Sequence, residues 1–280
     1  MKKIFILTAI AFTFTNCSKK EKLSEDSVIA DNNIPNTEID DYIYQNFQGP
    51  YNINVSYNWK ESDFEMKKYL YPPTENKIKP ALEIVKKIWI DAYVDIAGQE
   101  FMKKVAPRQI SIAGGYNVNE DGSVTLGFAD SGNKITLFKV DYLDMKNHKE
   151  SKLFFHTIHH EYCHIINQKK NYSTDYKKIT PSGYTASWHN VKDSDALEKG
   201  FITAYSMKDD IEDFAEMTSS MLDMTKTEWN TKINAIKNNE AKTALRKKEA
   251  FIVNYFKSEW NIDFYKLQEK VNEKVSSVLQ

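Results

Sequence analysis

The sequence predicts an α+β fold whose second half is mostly helical. Short runs of alternating or β-branched residues occur early in the chain, and apolar residues at helical spacing dominate from position 149 onward. The 280 residues include 41% hydrophobic and 13% aromatic residues, which is enough to build a sizeable core. A formal net charge of -1 provides no overall field that would attract nucleic acid, so we expect no nucleic-acid partner.

The N-terminus is predicted to be a targeting signal outside the fold. Lys2 and Lys3 precede an apolar run, residues 4–14, that is too short to span a membrane. Cys17 follows this run, an arrangement that resembles a bacterial lipoprotein signal whose cysteine becomes the acylated N-terminus. An ordinary cleaved signal with an incidental cysteine is the alternative. We therefore predict three segments: a signal peptide over 1–16, a flexible polar spacer over 17–38 and a folded domain over 39–280.

Elements of the domain follow from the hydrophobic spacing. Alternation over 51–59 predicts a strand, and helically spaced apolar residues predict a helix over 77–97. Three short β-like runs separated by turn formers then predict a small sheet, at 109–112, 123–128 and 134–140.

Helical spacing returns after the predicted sheet. One helix is predicted over 149–168, with Asn147 as its cap, and further helices are predicted over 211–224, 239–257 and 264–278. The domain is therefore expected to become helical from about residue 211 onward, after an irregular stretch up to Gly200.

The predicted helix over 149–168 carries His160, Glu161 and His164 in the sequence HEYCH. Residues four apart lie on one face of a helix, so both imidazoles can reach one zinc ion at about 2.0 to 2.1 Å. Glu161 lies roughly 100° further round the helix, where it can act as general base on water that zinc acidifies to a pKa of about 7. This motif predicts a zinc hydrolase acting on peptide bonds, or on an amide in peptidoglycan or a glycoconjugate.

Three other side chains on this helix could also bind metal. His156 precedes His160 by four residues, and His159 precedes Cys163 by four residues. A fourth protein ligand would close a hydrolytic site. We therefore interpret Cys163 as a small packing residue, His156 as incidental, and His159 as a packing residue or a residue that orients a ligand.

The third zinc ligand is expected downstream of HEYCH. Asn167 and Lys170 occupy the positions where the pattern HExxHxxGxxH requires glycine and histidine, which excludes that class. The sequence IEDFAEM instead offers Glu212 and Glu216 on one helical face. We predict Glu212 as the ligand and Glu216 as the acceptor of a ligand histidine's second ring N–H. A solvated acidic helix start is the alternative.

The zinc-binding motif and the acidic segment downstream of it together resemble a known family. HEYCH and the stretch GFITAYSMKDDIEDFAE resemble gluzincin-type zinc-binding metallopeptidase lipoproteins found beside outer-membrane substrate-import systems. The sequence departs from the family pattern at Ser131 and Gly132, where two glycines are usual, and at Cys163, where a small residue is usual. The likeness covers residues 40–270 and includes four more segments: LYPP (Leu70–Pro73), KIWIDAY (Lys87–Tyr93), TLGFADSGNKITLF (Thr125–Phe138) and SGYTASWHN (Ser182–Asn190).

The resemblance implies a gluzincin-like fold and a specific set of site residues. The implied zinc ligands are His160, His164 and Glu212, with Glu161 catalytic. Tyr205, seven residues before Glu212, is similar in placement to a tyrosine that donates to the tetrahedral oxyanion in related gluzincins.

Two alternatives accompany this set of residues. A buried aromatic residue is the other interpretation of Tyr205, and His189 is a second oxyanion candidate. The resemblance also implies an outer-membrane lipoprotein, on the periplasmic or the cell-surface face, that works beside an import complex. A non-catalytic zinc-containing component of such a complex is the alternative function, against which the intact Glu161 argues.

Overall fold

The computed structural model describes residues 36–64, 68–120, 122, 124–130 and 133–279. The predicted signal peptide, Cys17 and the spacer up to Pro35 lie outside the described residues, as do Ser131 and Gly132. The described chain from Asn36 onward belongs to one structural unit. None of its helices has the length and apolar character that crossing a membrane requires.

Helices open the domain. Thr37 begins the first helix, because its hydroxyl accepts the N–H of Asp40 while the Asp40 carboxylate accepts the N–H of Thr37. The helix predicted over 77–97 is present as two α-helical segments joined by a π-helical turn (Lys86–Ile90). The helices of this half are α1 (Glu38–Ile43), α2 (Gly49–Tyr51), α3 (Glu75–Val85), α4 (Asp91–Ala97) and α5 (Gln99–Val105).

A four-stranded mixed sheet forms the β part, with the order β1-β2-β6-β5. Strands β1, β2 and β6 are parallel, whereas β5 runs antiparallel to β6 and lies at the edge, pairing Gly127 with Leu137. A separate two-stranded hairpin, β3-β4, precedes β5 in the chain. The strands are β1 (Asn54–Ser56), β2 (Gln109–Ile112), β3 (Asn117–Val118), β4 (Val124–Thr125), β5 (Gly127–Asp130) and β6 (Lys134–Leu137).

The first predicted strand is shorter in the structure than over 51–59. Tyr51 ends helix α2, and Asn52 adopts a left-handed conformation with φ 57° before the chain extends. The alternating apolar residues at this point therefore belong partly to the end of a helix and partly to a short strand. Tyr51 and Ile53 are both buried, as they would be in a strand or at a helix end. Apolar spacing alone therefore could not distinguish a strand from a helix end at this point.

Helix α6 (His148–Lys169) crosses the molecule between the edge strand β5 and helix α8 (Asp210–Leu222). Asn147 caps α6 as predicted, with its side-chain oxygen accepting the N–H of Glu150 at 3.3 Å. Leu153, an apolar residue near the start of α6, is 42% exposed. Most of the buried residues of α6 lie from Phe154 onward, where the helix is packed between β5 and α8.

Gly127 allows β5 to approach α6 closely. A Cβ atom at this position would lie 2.6 Å from the Thr157 methyl carbon and 3.0 Å from the Thr136 carbonyl oxygen. Only glycine fits this contact without displacing the strand. The edge strand is therefore held directly over the helix that carries HEYCH.

The C-terminal half is helical, as the sequence predicts. Helix α9 (Lys226–Asn234) was not predicted, because only Trp229 and Ile233 are buried along it and most of its residues are polar. A capping box between Thr225 and Glu228 begins it. The remaining helices are α7 (Asp193–Leu197), α9 (Lys226–Asn234), α10 (Asn239–Trp260) and α11 (Phe264–Val278).

Candidate metal centre

Three predicted ligand atoms converge between α6 and α8. The Nε2 atom of His160 lies 3.0 Å from Nε2 of His164 and 3.0 Å from Oε2 of Glu212. The third side of the triangle, His164 Nε2 to Glu212 Oε2, is 3.3 Å. The helix spacing on α6 and the packing of α8 against it therefore bring together the ligand set that the sequence predicts.

The dimensions of this triangle fit a zinc ion. Neighbouring ligand atoms in a tetrahedral zinc site are about 3.3 Å apart when each lies about 2.0 to 2.1 Å from the metal. The three observed separations of 3.0, 3.0 and 3.3 Å are close to this edge length. Two imidazole nitrogens and one carboxylate oxygen are also the donor set of hydrolytic zinc sites.

The start of α8 aims Glu212 inward. Asp209 caps the helix by accepting the N–H groups of Ile211 and Glu212 on its carboxylate, at 3.0 and 2.9 Å. The Glu212 side chain is only 12% exposed, whereas the neighbouring Ile211 is 55% exposed. An inward acid beside an outward isoleucine excludes the alternative of a solvated acidic helix start.

The pKa of Glu212 reflects its partners. Burial alone would raise it, but hydrogen bonds from His160, His164 and Lys208 hold the pKa of this carboxyl well below its usual range. Glu212 is therefore ionised at neutral pH, which is the form that binds a metal.

Glu161 lies next to the ligand atoms and under the edge strand. It is 7% exposed, and burial raises the pKa of its carboxyl despite the opposing charges of His160 and His164. The backbone N–H of Ala129 on β5 donates a hydrogen bond to it. A buried carboxylate with a raised pKa and a fixed orientation is suited to accept and return a proton.

Glu216 lies one turn further along α8, beneath His160. Its Oε1 atom is 2.9 Å from His160 Nδ1, although the ring N–H does not point straight at the oxygen. Its Oε2 atom accepts a hydrogen bond of 2.7 Å from the Thr203 hydroxyl. This arrangement supports the predicted role of Glu216 in orienting a ligand histidine.

His156 has a structural partner on each side, so the interpretation as incidental is wrong. Its Nε2 lies 2.9 Å from Glu216 Oε1 and its Nδ1 lies 2.6 Å from Asp223 Oδ2. Burial would lower the pKa of His156, but the two carboxylates raise it well above the ordinary value. The spacing of four residues between His156 and His160 indicated that the two share a helix face. It could not indicate the contacts of His156 with Glu216 and Asp223, which are distant in the sequence.

His156, His160 and Glu216 also form a second group with metal-ligand geometry, in which the ligand atoms lie within 4.8 Å of one another. Hydrogen bonds and charge pairing account for these contacts. We therefore assign no second metal to them.

The two remaining candidates on α6 are packing residues. Cys163 is fully buried as a free thiol, and burial raises its pKa to about 12. His159 is also fully buried, with its ring centroid 6.2 Å from that of Tyr93. Neither ring nitrogen of His159 has a hydrogen-bond partner, and burial lowers its pKa to about 3. His159 is therefore neutral and does not orient a ligand.

Tyr205 lies at the predicted site, on a short 3-10 helix (Tyr205–Met207) just before α8. Its ring centroid is 5.9 Å from that of His160 and 4.9 Å from that of Trp188. Burial and the nearby Glu212 carboxylate, to which its hydroxyl is hydrogen-bonded, raise its pKa. His189 is exposed, and its contact is with the neighbouring Trp188 ring. The structure thus brings Tyr205 to the metal centre.

Lys208 is a site residue that the sequence analysis missed. Its ammonium donates to Glu212 Oε1 at 2.7 Å and to the Tyr205 hydroxyl at 3.3 Å. The i, i+4 spacing between Lys208 and Glu212 could have indicated the pair, but such pairs are common on solvated helix faces.

Comparisons with known proteins place the chain in a family. A family model described as "Putative zinc-binding metallo-peptidase" matches residues 32–265. The chain is also similar to a solved structure, "a putative zinc-binding metallo-peptidase" from Bacteroides caccae, with 28% sequence identity and a TM-score of 0.71. That match covers 87% of this chain and 95% of the other. No curated protein matches the sequence. Because the family model spans most of its length, the chain belongs to this zinc-binding metallo-peptidase family.

Proposed function

We propose that the protein is a zinc-dependent peptidase that uses Glu161 as its general base. The observation that carries this proposal is the convergence of His160, His164 and Glu212, at 3.0 to 3.3 Å from one another, beside a buried carboxylate. Three protein ligands leave a fourth position for water and substrate, as hydrolytic zinc sites require.

Each side chain then has a defined task. A bound zinc ion would supply Lewis acidity toward the scissile carbonyl and the attacking water. Glu161 takes a proton from the water and returns it to the departing amine, which its raised pKa favours. Tyr205 has a hydroxyl that can donate to the oxyanion as the carbonyl becomes tetrahedral. Glu216 keeps His160 oriented.

The edge strand β5 provides the surface on which an extended peptide can lie. Among the described strands only β6 pairs with it, so its other side could take up a substrate strand, although the Ala129 N–H is already donated to Glu161. Gly127 and Ala129 hold this strand against Thr157 and Glu161 of α6. A substrate strand paired with β5 would therefore pass beside the general base.

Glu161→Gln tests the proposal directly. Glutamine keeps the shape of the side chain but cannot accept the proton, so we expect hydrolysis to fall by about a hundred- to ten-thousand-fold while zinc stays bound. The assay is degradation of a mixed peptide library followed by mass spectrometry, with zinc content measured on the same samples.

Glu212→Ala is the matched comparison, because it removes a ligand instead of the base. Zinc retention is expected to weaken together with activity in this variant. Undiminished cleavage by Glu161→Gln, or cleavage that persists in excess chelator, would show that a different chemistry operates.

We further propose that Cys17 carries lipid and anchors the enzyme to the outer membrane. The basic and apolar residues before Cys17 support this, as does the polar spacer that follows it. The family resemblance supports a location beside a substrate-import system, on the periplasmic or the cell-surface face, with a peptide or protein as substrate.

A further inference from the structure

Lys208 has an unusual position for a partly exposed lysine, because it contacts two groups of the metal centre together. Its side chain is 42% exposed, yet its ammonium lies 2.7 Å from Glu212 Oε1 and 3.3 Å from the Tyr205 hydroxyl. The ammonium also lies 5.2 Å from the centre of the Tyr205 ring. It therefore lies between the third ligand and the candidate oxyanion donor.

The two oxygens of Glu212 are divided between different partners. Oε2 faces the imidazoles of His160 and His164, at 3.0 and 3.3 Å, whereas Oε1 faces Lys208. We propose that Lys208 is a positioning residue that keeps Glu212 a one-oxygen metal ligand. This inference rests on the proposed function.

The division has a chemical consequence at the metal. A carboxylate that binds zinc through both oxygens uses an additional coordination position, which a hydrolytic site needs for water and substrate. A charged hydrogen bond to Oε1 opposes this second bond, because the ammonium competes for the same lone pairs. With a metal bound, Lys208 would thus keep this oxygen of Glu212 hydrogen-bonded and leave the position free for water and substrate.

The backbone around Lys208 fixes where the ammonium can reach. The Lys208 N–H donates to the Tyr205 carbonyl at 3.0 Å, which closes the 3-10 turn, and the next residue is the cap Asp209. Lys208 lies one residue before this cap, whose backbone is extended, and its side chain reaches Glu212 in the first turn of α8. The contact needs no rearrangement of the fold.

Lys208→Met tests the inference in the full-length protein. Methionine keeps most of the stem against Tyr205 and removes the charged donor. The readout is the visible absorption of the protein loaded with Co2+ in place of zinc, which is more intense for four-coordinate than for five-coordinate cobalt. We expect the wild-type protein to give the intense bands and the variant to give weaker ones. The kcat for peptide cleavage is expected to fall about 10- to 100-fold.

Three further variants complete the experiment. Lys208→Arg keeps a charged donor and should restore the intense bands. Lys199→Met removes another exposed lysine on the segment before α8, and its spectrum and kcat should match the wild type. Lys208→Ala is a second neutral variant, available if the methionine protein does not fold, and it should show the same weakened bands.

The spectrum decides the outcome. Intense bands in Lys208→Met or Lys208→Ala, equal to those of the wild type, would overturn the role of Lys208 even if kcat falls. If the variant bands are unchanged but the wild-type protein binds metal and cleaves peptides, only the role of Lys208 is overturned and the proposed function is retained. A wild-type protein that neither binds metal nor cleaves peptides overturns both.

Discussion

At the scale of residues, the half-buried His156 and the buried His159 on α6 occupy opposite environments. His156 lies between the carboxylates of Glu216 and Asp223, which raise its pKa well above the ordinary value. His159, three residues later, has no hydrogen-bond partner on either ring nitrogen, and burial lowers its pKa to about 3. The same residue type is thus charged on one face of the helix and neutral on another.

His159 makes the folded protein sensitive to acid. Because its folded pKa of about 3 lies below the ordinary 6.5, the unfolded chain binds the additional proton between these values. Stability is therefore lost as the pH falls below 6.5. We expect His159→Phe to remove about 2 kcal/mol of the stability loss between pH 8 and pH 5.

Urea unfolding of both proteins at the two pH values measures this difference. His156, Glu216 and Asp223 are present in both proteins, so their titration cancels in the comparison. Equal losses of stability in the wild type and in His159→Phe would show that His159 is not the acid-sensitive group.

At the scale of elements, a buried ion pair ties α8 to α10 next to the metal centre. The Lys248 ammonium lies 2.7 Å from Asp213 Oδ2, and both side chains are fully buried. Asp213 also accepts a hydrogen bond from the Tyr184 hydroxyl, and Lys248 donates to the Gly200 carbonyl. The pair therefore joins both helices to the irregular segment before α8.

Lys248→Met should destabilise the protein strongly, because it leaves the Asp213 carboxylate buried without its partner. Burial already raises the pKa of Asp213 to about 6 even with Lys248 present. Removing one partner of such a pair typically costs about 3 to 5 kcal/mol. The free energy of unfolding in urea at neutral pH is the measurement.

Lys103→Met is the matched control for Lys248→Met. Lys103 pairs with Glu100 at 2.8 Å, but both side chains are largely exposed, so its loss should cost less than about 1 kcal/mol. A Lys248→Met protein as stable as this control would mean that the buried pair contributes little to holding α8 in place.

The elements themselves were predicted to different extents. Helix α6 and helix α11 follow from apolar spacing over many turns, and the structure confirms both. Helix α9 has only two buried side chains, Trp229 and Ile233, so it has no apolar stripe to detect. The strand predicted over 51–59 is present only as the shorter β1, since its apolar alternation overlaps the end of α2.

At the scale of the whole molecule, the proposed lipid anchor would decide where the protein acts. Cys17→Ser removes the only predicted acylation site but leaves the domain from residue 39 onward unchanged. We expect this variant, expressed with its signal in a bacterial host, to move from the membrane fraction to the soluble fraction and keep its peptidase activity.

Fractionation and mass spectrometry of the N-terminal peptide measure this change, and Cys163→Ala is the control because the structure buries that thiol. Membrane association that survives Cys17→Ser would assign the anchor to another segment or to a partner.

The sequence by itself determined the fold class and the chemistry of the metal centre. His160, Glu161 and His164 are set by helix periodicity, because residues four apart on one helix share a face whatever surrounds them. Only the tertiary structure decided which distant groups complete the site. Glu212 beside His160 and His164, and His156 between Glu216 and Asp223, depend on how α8 packs against α6. No spacing within one element specifies a contact between two, so these contacts follow from packing.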